Sequence, residues 1–150
     1  MNYIVKRTTS EDVGFKFLEK QLDEELFEIY GEMQNNYSSH NTVRDLKTII
    51  IYDDKKPIGC GCLKFLDYDL AEVKRVYVSL EDRGRGVAKI IVKEIEKLAI
   101  ESNVKNIILQ TGSRQKAAVS LYESMGYKLN ENYGPYINDS NNICMKRIVG

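Results

Sequence analysis

The sequence predicts an α+β fold in α/β/α layers: a mixed, mostly antiparallel central sheet of about seven strands with helices on both faces. Three observations carry that expectation. Short runs rich in β-branched residues alternate with polar ones and are separated by polar turns, as hairpin strands do. Longer stretches repeat apolar residues every three or four positions, the period of a helix with one buried face. A helical stretch also separates the strand-like runs 72–78 and 107–110, and strands joined through a helix pair in parallel by a right-handed crossover.

Along the chain, residues 2–7 read as a first strand, and Thr8-Thr9-Ser10-Glu11-Asp12 supplies helix-capping side chains and first-turn acids. Phe15, Leu18, Leu22, Leu26, Ile29 and Met33 then define an amphipathic helix, with a break expected near Gly31. Runs 48–52 and 58–65 flank the polar stretch Asp53-Asp54-Lys55-Lys56-Pro57, which predicts a hairpin with a somewhat long loop. A second turn at Asp67-Tyr68-Asp69 leads into the alternating strand 72–78. Val87, Ile90, Ile91, Ile95 and Leu98 mark a long helix, Asn103 or Asn106 ends the turn after it, and residues 107–110 form a short apolar strand. A helix from about residue 114 to 125 stops at Gly126, a good helix terminator, and runs 127–130 and 142–147 make two final antiparallel strands.

The segment Arg83-Gly84-Arg85-Gly86-Val87-Ala88 joins the strand 72–78 to the long helix and has the makings of a phosphate cradle. Its glycines let backbone N–H groups approach an anion, and the free donors and dipole at a helix N-terminus favour negative charge. Arg85 and Lys89 add full charges there.

In this setting the chain resembles the GNAT family of N-acetyltransferases, in its small-molecule, single-domain form. The pattern Arg/Gln-x-x-Gly-x-Gly/Ala, filled here by Arg83, Gly86 and Ala88, looks like that family's acyl-CoA pyrophosphate loop. Leu109-Gln110-Thr111-Gly112, followed by Ala117-Ala118-Val119-Ser120-Leu121-Tyr122-Glu123-Ser124-Met125-Gly126-Tyr127, is similar to the segment that closes the cofactor site. The resemblance covers roughly residues 47–148.

It implies acetyl-CoA as co-substrate and no metal. The cofactor residues it implies are Val76, Tyr77, Val78, Arg83, Gly84, Arg85, Gly86, Val87, Ala88, Gln115 and Tyr122, with Arg114 and Lys116 within reach of a phosphate. Strand 72–78 is expected to splay from 106–111 and admit the pantetheine arm, whose amides bond to a strand edge much as a peptide does. Tyr122 is the implied proton donor to the departing thiolate, the alternative being a core tyrosine beside Leu121 and Met125. Glu72 is the implied general base acting through water, or else a solvent-facing strand glutamate paired with a lysine. The Val78 N–H would stabilise the oxyanion. For the acceptor, the resemblance and an acidic helix point to Asp23, Tyr37, His40, Asn41, Tyr133 and Tyr136. That helix region, from Glu11 to Glu32, holds eight acids against Lys16 and Lys20, which also suits an ordinary solvated face.

Composition narrows the classes further. A length of 150 residues with 43% hydrophobic content suits one domain spanning residues 1–150. Basic and acidic residues balance at 22 each, which speaks against a general nucleic-acid surface. Residues 1–75 carry 11 basic against 14 acidic side chains and residues 76–150 carry 11 against 8, so the half with the glycine loop is the basic one. Cys60, Cys62 and Cys144 read as reduced core thiols, with Cys60 and Cys62 on one strand face. No signal-like or membrane-length apolar run occurs, so a cytoplasmic location is expected. The resulting expectation is a transferase moving acetyl from acetyl-CoA to a primary amine of a small molecule or peptide within a ternary complex. A non-catalytic acyl-CoA-binding module and a protein lysine or N-terminal acetyltransferase are the alternatives, and a homodimer is compatible with either.

Overall fold

The computed structural model describes residues 3–31, 46–131 and 142–150. The chain runs β1 (Tyr3–Thr9), α1 (Val13–Tyr30), β2 (Lys47–Asp53), β3 (Lys56–Asp67) and β4 (Leu70–Val78). A 3-10 turn (Leu80–Asp82), α2 (Val87–Glu101), β5 (Asn106–Gly112), α3 (Lys116–Ser124), β6 (Lys128–Asn130) and β7 (Asn142–Ile148) follow. The seven strands form one sheet in the order β1-β2-β3-β4-β5-β7-β6, antiparallel at every pair except the parallel β4–β5. The parallel pair is the one joined through α2, as the helical spacer requires.

Helix starts and stops follow local chemistry. Asp12 caps α1 by accepting the Gly14 N–H at 2.8 Å, and the helix ends where Gly31 takes a positive φ. Asn103 and Gly126, with φ of 63° and 96°, turn the chain after α2 and α3. The β2–β3 loop is shorter than expected. Both strands extend into the polar stretch, leaving Asp54 and Lys55 as the turn, with Asp54 at φ 57°. Pro57, which has no N–H to give a ladder, is accommodated by a register shift at Ile51/Tyr52.

Two apolar layers cover the sheet. On one face α2 packs Val87, Ile91 and Ile95 against Ile49, Ile51, Ile58, Val73, Ile107 and Leu109. Gly59 and Gly61 make this approach close, because a Cβ on Gly61 would lie 2.7 Å from Ile91 Cγ2 and 2.8 Å from Ile95 Cδ1. On the other face α1 packs Phe15, Leu18 and Leu22 against Ile50, Cys60, Cys62 and Tyr77. The strand Cys60-Gly61-Cys62 therefore shows glycine to α2 and thiols to α1.

The sheet is not continuous between its central strands. Pairing of β4 with β5 runs from Leu70/Asn106 only to Val73/Leu109. Immediately beyond, β4 carries an extra residue against β3, with Cys60 opposite Tyr77 but Cys62 opposite Lys74. Arg75 sits in this bulge at φ 59°, a left-handed conformation that costs a non-glycine residue energy. Its guanidinium, almost fully buried, is held by Glu19 at 3.2 Å and by Asp23, both on α1. The bulge turns β4 away from β5, and α1 fixes the turn through these ion pairs.

Candidate active site

The split opens into a cleft of about 660 Å³. Its floor is the free end of β4 (Val76, Tyr77, Val78). One wall is the glycine loop and first turn of α2 (Gly84, Gly86, Val87, Ala88, Lys89), and the other is the start of α3 (Gln115, Ala118, Tyr122). Leu22, Glu25 and Ile29 of α1 close the rim.

Ladder geometry sets what the floor offers. Ser79 N–H donates to Ile58 O at 2.8 Å, so Ser79/Ile58 is a hydrogen-bonded pair and the next pair, Val78/Gly59, is not. The Val78 N–H and C=O therefore point away from β3, toward the side that β5 has left. The carbonyl accepts Arg83 Nε at 2.9 Å.

At the loop, Gly84 and Gly86 have φ of 79° and 81°, and Gly86 is the N-cap of α2. Open space lies where a Cβ would be at either position. The first-turn N–H groups of α2 thus meet the cleft without side-chain cover. Arg83 is committed elsewhere, forming a two-pronged pair with Glu25 of α1 at 2.8 and 2.6 Å and lying 5.5 Å over the Tyr77 ring. Arg85 is half-exposed, 3.8 Å from Asp82. Lys89 lines the cleft.

On the opposite wall, Gln115 Oε1 accepts the Gly112 N–H at 3.0 Å, which fixes the turn between β5 and α3. Arg114 donates to Ile29 O at 3.1 Å and lies 5.5 Å over the Tyr30 ring, joining α3 to the end of α1. Tyr122 is buried, edge-on to Tyr127 at 5.6 Å, and burial pushes its phenol pKa well up. It lines the cleft and also belongs to the core.

Glu72 lies elsewhere. It is 5% exposed, which removes the reading of a solvent-facing glutamate, and its carboxylate is 3.5 Å from the similarly buried Lys74 Nζ. Its neighbours Ala71 and Val73 belong to the α2-side core, so Glu72 faces the α1 side, one residue before the split. It is not among the residues lining the cleft. The gap is also shorter than expected: residues 72–73 and 106–109 stay paired, and only the portion beyond the Arg75 bulge is open.

Asp23 pairs with the buried Arg75 of β4 and is not among the residues lining the cleft. Tyr37, His40, Asn41, Tyr133 and Tyr136 lie outside the described residues. Sequence reading missed Arg75, Glu25 and Glu19, whose ion pairs bridge more than 50 positions of sequence. The cysteines are free and buried, and burial pushes the Cys62 thiol up to about 12, so it stays protonated near neutral pH. Among the described residues no cluster of His, Cys, Asp and Glu could hold a metal, and no helix is long and apolar enough to cross a membrane.

An open sheet split between parallel neighbours, with a glycine loop at a helix N-terminus beside the split, defines an acyl-CoA N-acyltransferase fold. Comparison with known proteins agrees. The acetyltransferase (GNAT) family model matches residues 11–127. The chain is 24% identical over 147 residues to an IAA acetyltransferase of Azospirillum brasilense, covering 96% of this chain and 95% of that one. It is 34% identical over 91 residues to an uncharacterized N-acetyltransferase of Bacillus subtilis, covering 59% and 60%. Among solved structures, an acyl-CoA N-acyltransferase from Klebsiella pneumoniae, itself assigned only provisionally, superposes with a TM-score of 0.82 at 22% identity, over 99% and 98% of the chains. A GNAT acetyltransferase from Elizabethkingia anophelis with acetyl-CoA bound superposes at 0.71 and 16% identity, over 99% of both. The chain belongs to the GNAT acetyltransferase family and is, by that membership, an acetyl-CoA-dependent N-acetyltransferase.

Proposed function

We propose that the chain transfers acetyl from acetyl-CoA directly to a primary amine of a small molecule or peptide, both bound at once at the β4–β5 split. The observation that carries this is the continuity of one cleft from the first turn of α2, past the unpaired edge of β4, to Tyr122. In this reading the pyrophosphate lies against Gly84, Gly86 and the N–H groups of Val87 and Ala88, with Arg85 and Lys89 supplying positive charge. Arg83 contributes through its hold on Glu25 and the Val78 carbonyl, keeping the β4 edge in place, while Gln115 borders the pantetheine arm. That arm runs along Val76–Val78. The residues fit an acyl-CoA, since the cleft is basic at one end, mostly apolar in its middle and edged by backbone donors.

The chemical roles come from the resemblance to the family; Tyr122 lines the cleft, whereas Glu72 stands outside its lining and beside Lys74. An alkyl ammonium has a pKa of about 10.4 and must lose a proton before it can attack. Glu72 takes that proton through water reaching the α1 side of the split. The neutral nitrogen then adds to the thioester carbonyl, and the Val78 N–H stabilises the oxyanion. As the C–S bond breaks, the Tyr122 hydroxyl protonates the leaving sulfur, the attacking nitrogen gives up its second proton to solvent and Tyr122 regains one from solvent, leaving the amide and CoA thiol as products. A Glu72→Gln variant tests the base: its rate should rise more steeply with pH than wild type, because only amine already neutral can react. A profile parallel to that of wild type from pH 6 to 9 removes Glu72 from this role.

A further inference from the structure

Tyr30 is the last residue of α1, is 7% exposed and does not line the cleft. Its ring tip fills the space beside Gly112, the last residue of β5. A Cβ on Gly112 would collide with the Tyr30 hydroxyl and stand 2.6 Å from the ring carbon Cζ. Arg114 closes over the same ring and donates to Ile29 O, and Gln115 Oε1, which accepts the Gly112 N–H, lies 3.0 Å from the same Cβ position. The end of α1 is therefore seated in the turn from which α3 starts, at the end of a strand that has had no β4 partner since Leu109.

The other side of the split is held by the same helix. Glu19 and Asp23 take Arg75 of the bulge, and Gln21 Oε1 accepts the hydroxyls of Tyr77 at 3.2 Å and Ser79 at 3.4 Å. Glu25 takes Arg83, whose Nε holds the Val78 carbonyl. Contacts at 19–25 thus belong to the β4 side and contacts at 29–30 to the β5 side. Backbone hydrogen bonds fix the rise of an α-helix at about 1.5 Å per residue, so the separation of these two sets of contacts is set by α1 and not by the strands. Where the β4–β5 ladder stops, α1 takes its place as the spacer.

We propose that Tyr30 is a positioning residue for the coenzyme: seated against Gly112, it sets the distance of β5 and the start of α3 from the β4 edge, and so the width of the channel that receives the pantetheine arm. This rests on the transferase reading above and adds to it a residue that touches neither substrate.

Calorimetry with two probes tests it: acetyl-CoA, and 3′-phosphoadenosine 5′-diphosphate, which is the nucleotide end of acetyl-CoA without the acyl-pantetheine. The ratio of their Kd values reads the pantetheine channel alone and needs no acceptor. Wild type should bind acetyl-CoA at least tenfold more tightly than the nucleotide. Gly112→Ala is free of a positive φ but drives a methyl into a buried ring tip held under Arg114, so the end of α1 must move. It should cut the ratio at least fivefold and leave the nucleotide Kd within twofold, because the glycine loop stands on the opposite wall. Tyr30→Leu, whose side chain stops short of the hydroxyl and Cζ, empties the seat and should cut the ratio as well. Gly112→Ala with Tyr30→Leu refills the seat, and its ratio should exceed that of either single variant at least threefold. An unchanged ratio in a folded single variant, losses that multiply in the double variant, parallel weakening of both probes, or equal affinity of wild type for both overturns the inference. If Gly112→Ala does not fold, Tyr30→Leu alone decides by the same criteria. Failure of wild type to bind acetyl-CoA would instead overturn the transferase reading itself.

Discussion

Desolvation raises the Tyr122 phenol well above its usual pKa of about 10, so the group keeps its proton and can act only as a donor near neutral pH. The same shift makes the phenol a weaker acid, so protonation of the sulfur waits on the charge that builds there as the C–S bond breaks. Tyr122→Phe keeps the ring edge-on to Tyr127 and removes only the hydroxyl. It should lower kcat by about 10²-fold with little change in acetyl-CoA Kd, and an unchanged kcat in steady-state assays would rule out the donor role. Tyr122 was legible in the sequence because its helix ends in a recognisable motif. Tyr30 and Arg75 were not. One looks like an ordinary helix residue and the other like an ordinary strand residue, and only the folded chain shows that one is seated at the end of β5 and the other makes the split.

Element starts and contacts were legible wherever one short-range interaction decides them. A cap within residues 8–12 followed from capping chemistry, whereas the first-turn acids expected there lie before the helix; Asp12 is the cap, and its carboxyl is held below the usual range, chiefly by the Lys6 hydrogen bond and further by the Gly14 N–H. The unfolded carboxyl takes up its proton first as pH falls. The contribution is therefore complete above the unfolded pKa of about 3.9 and is lost as pH drops through the folded value. Asp12→Ala should cost about 1 kcal/mol at pH 7, and its Tm deficit should shrink below pH of about 4; a deficit constant from pH 7 to 3 would contradict the cap. Gly61 was not legible as a packing residue, because a strand glycine gives no sign of which helix presses on it. Gly61→Ala drives a methyl into Ile91 and Ile95 and should destabilise by about 1–3 kcal/mol in urea unfolding. No loss would mean that α2 stands farther from β3. The β2–β3 loop was overestimated for a related reason: polar side chains on an outer hairpin read like a loop although the backbone is paired.

At the scale of the molecule, hydrophobic periodicity and the helical spacer were sufficient for the class of fold, its mixed sheet and its single parallel pair. They were insufficient for the length of the split, which depends on a bulge fixed by ion pairs between α1 and β4. The same design places the basic loop, the free strand edge and Tyr122 along one cleft. The central claim is that this cleft holds acetyl-CoA with its pyrophosphate at Gly86. Gly86→Glu is a direct probe, since no atom lies within 4 Å of where its Cβ would be and it sets a negative charge at the N-terminus of α2; because it also strains the loop at φ 81°, the fold of the variant is checked first. Calorimetric titration with acetyl-CoA, repeated with ATP as a competing phosphate ligand, should show saturable binding to wild type, at least tenfold weaker binding to Gly86→Glu, and no displacement by equimolar ATP. Absence of binding to wild type, equal affinity in the folded variant, or preference for ATP would contradict the assignment of the cleft.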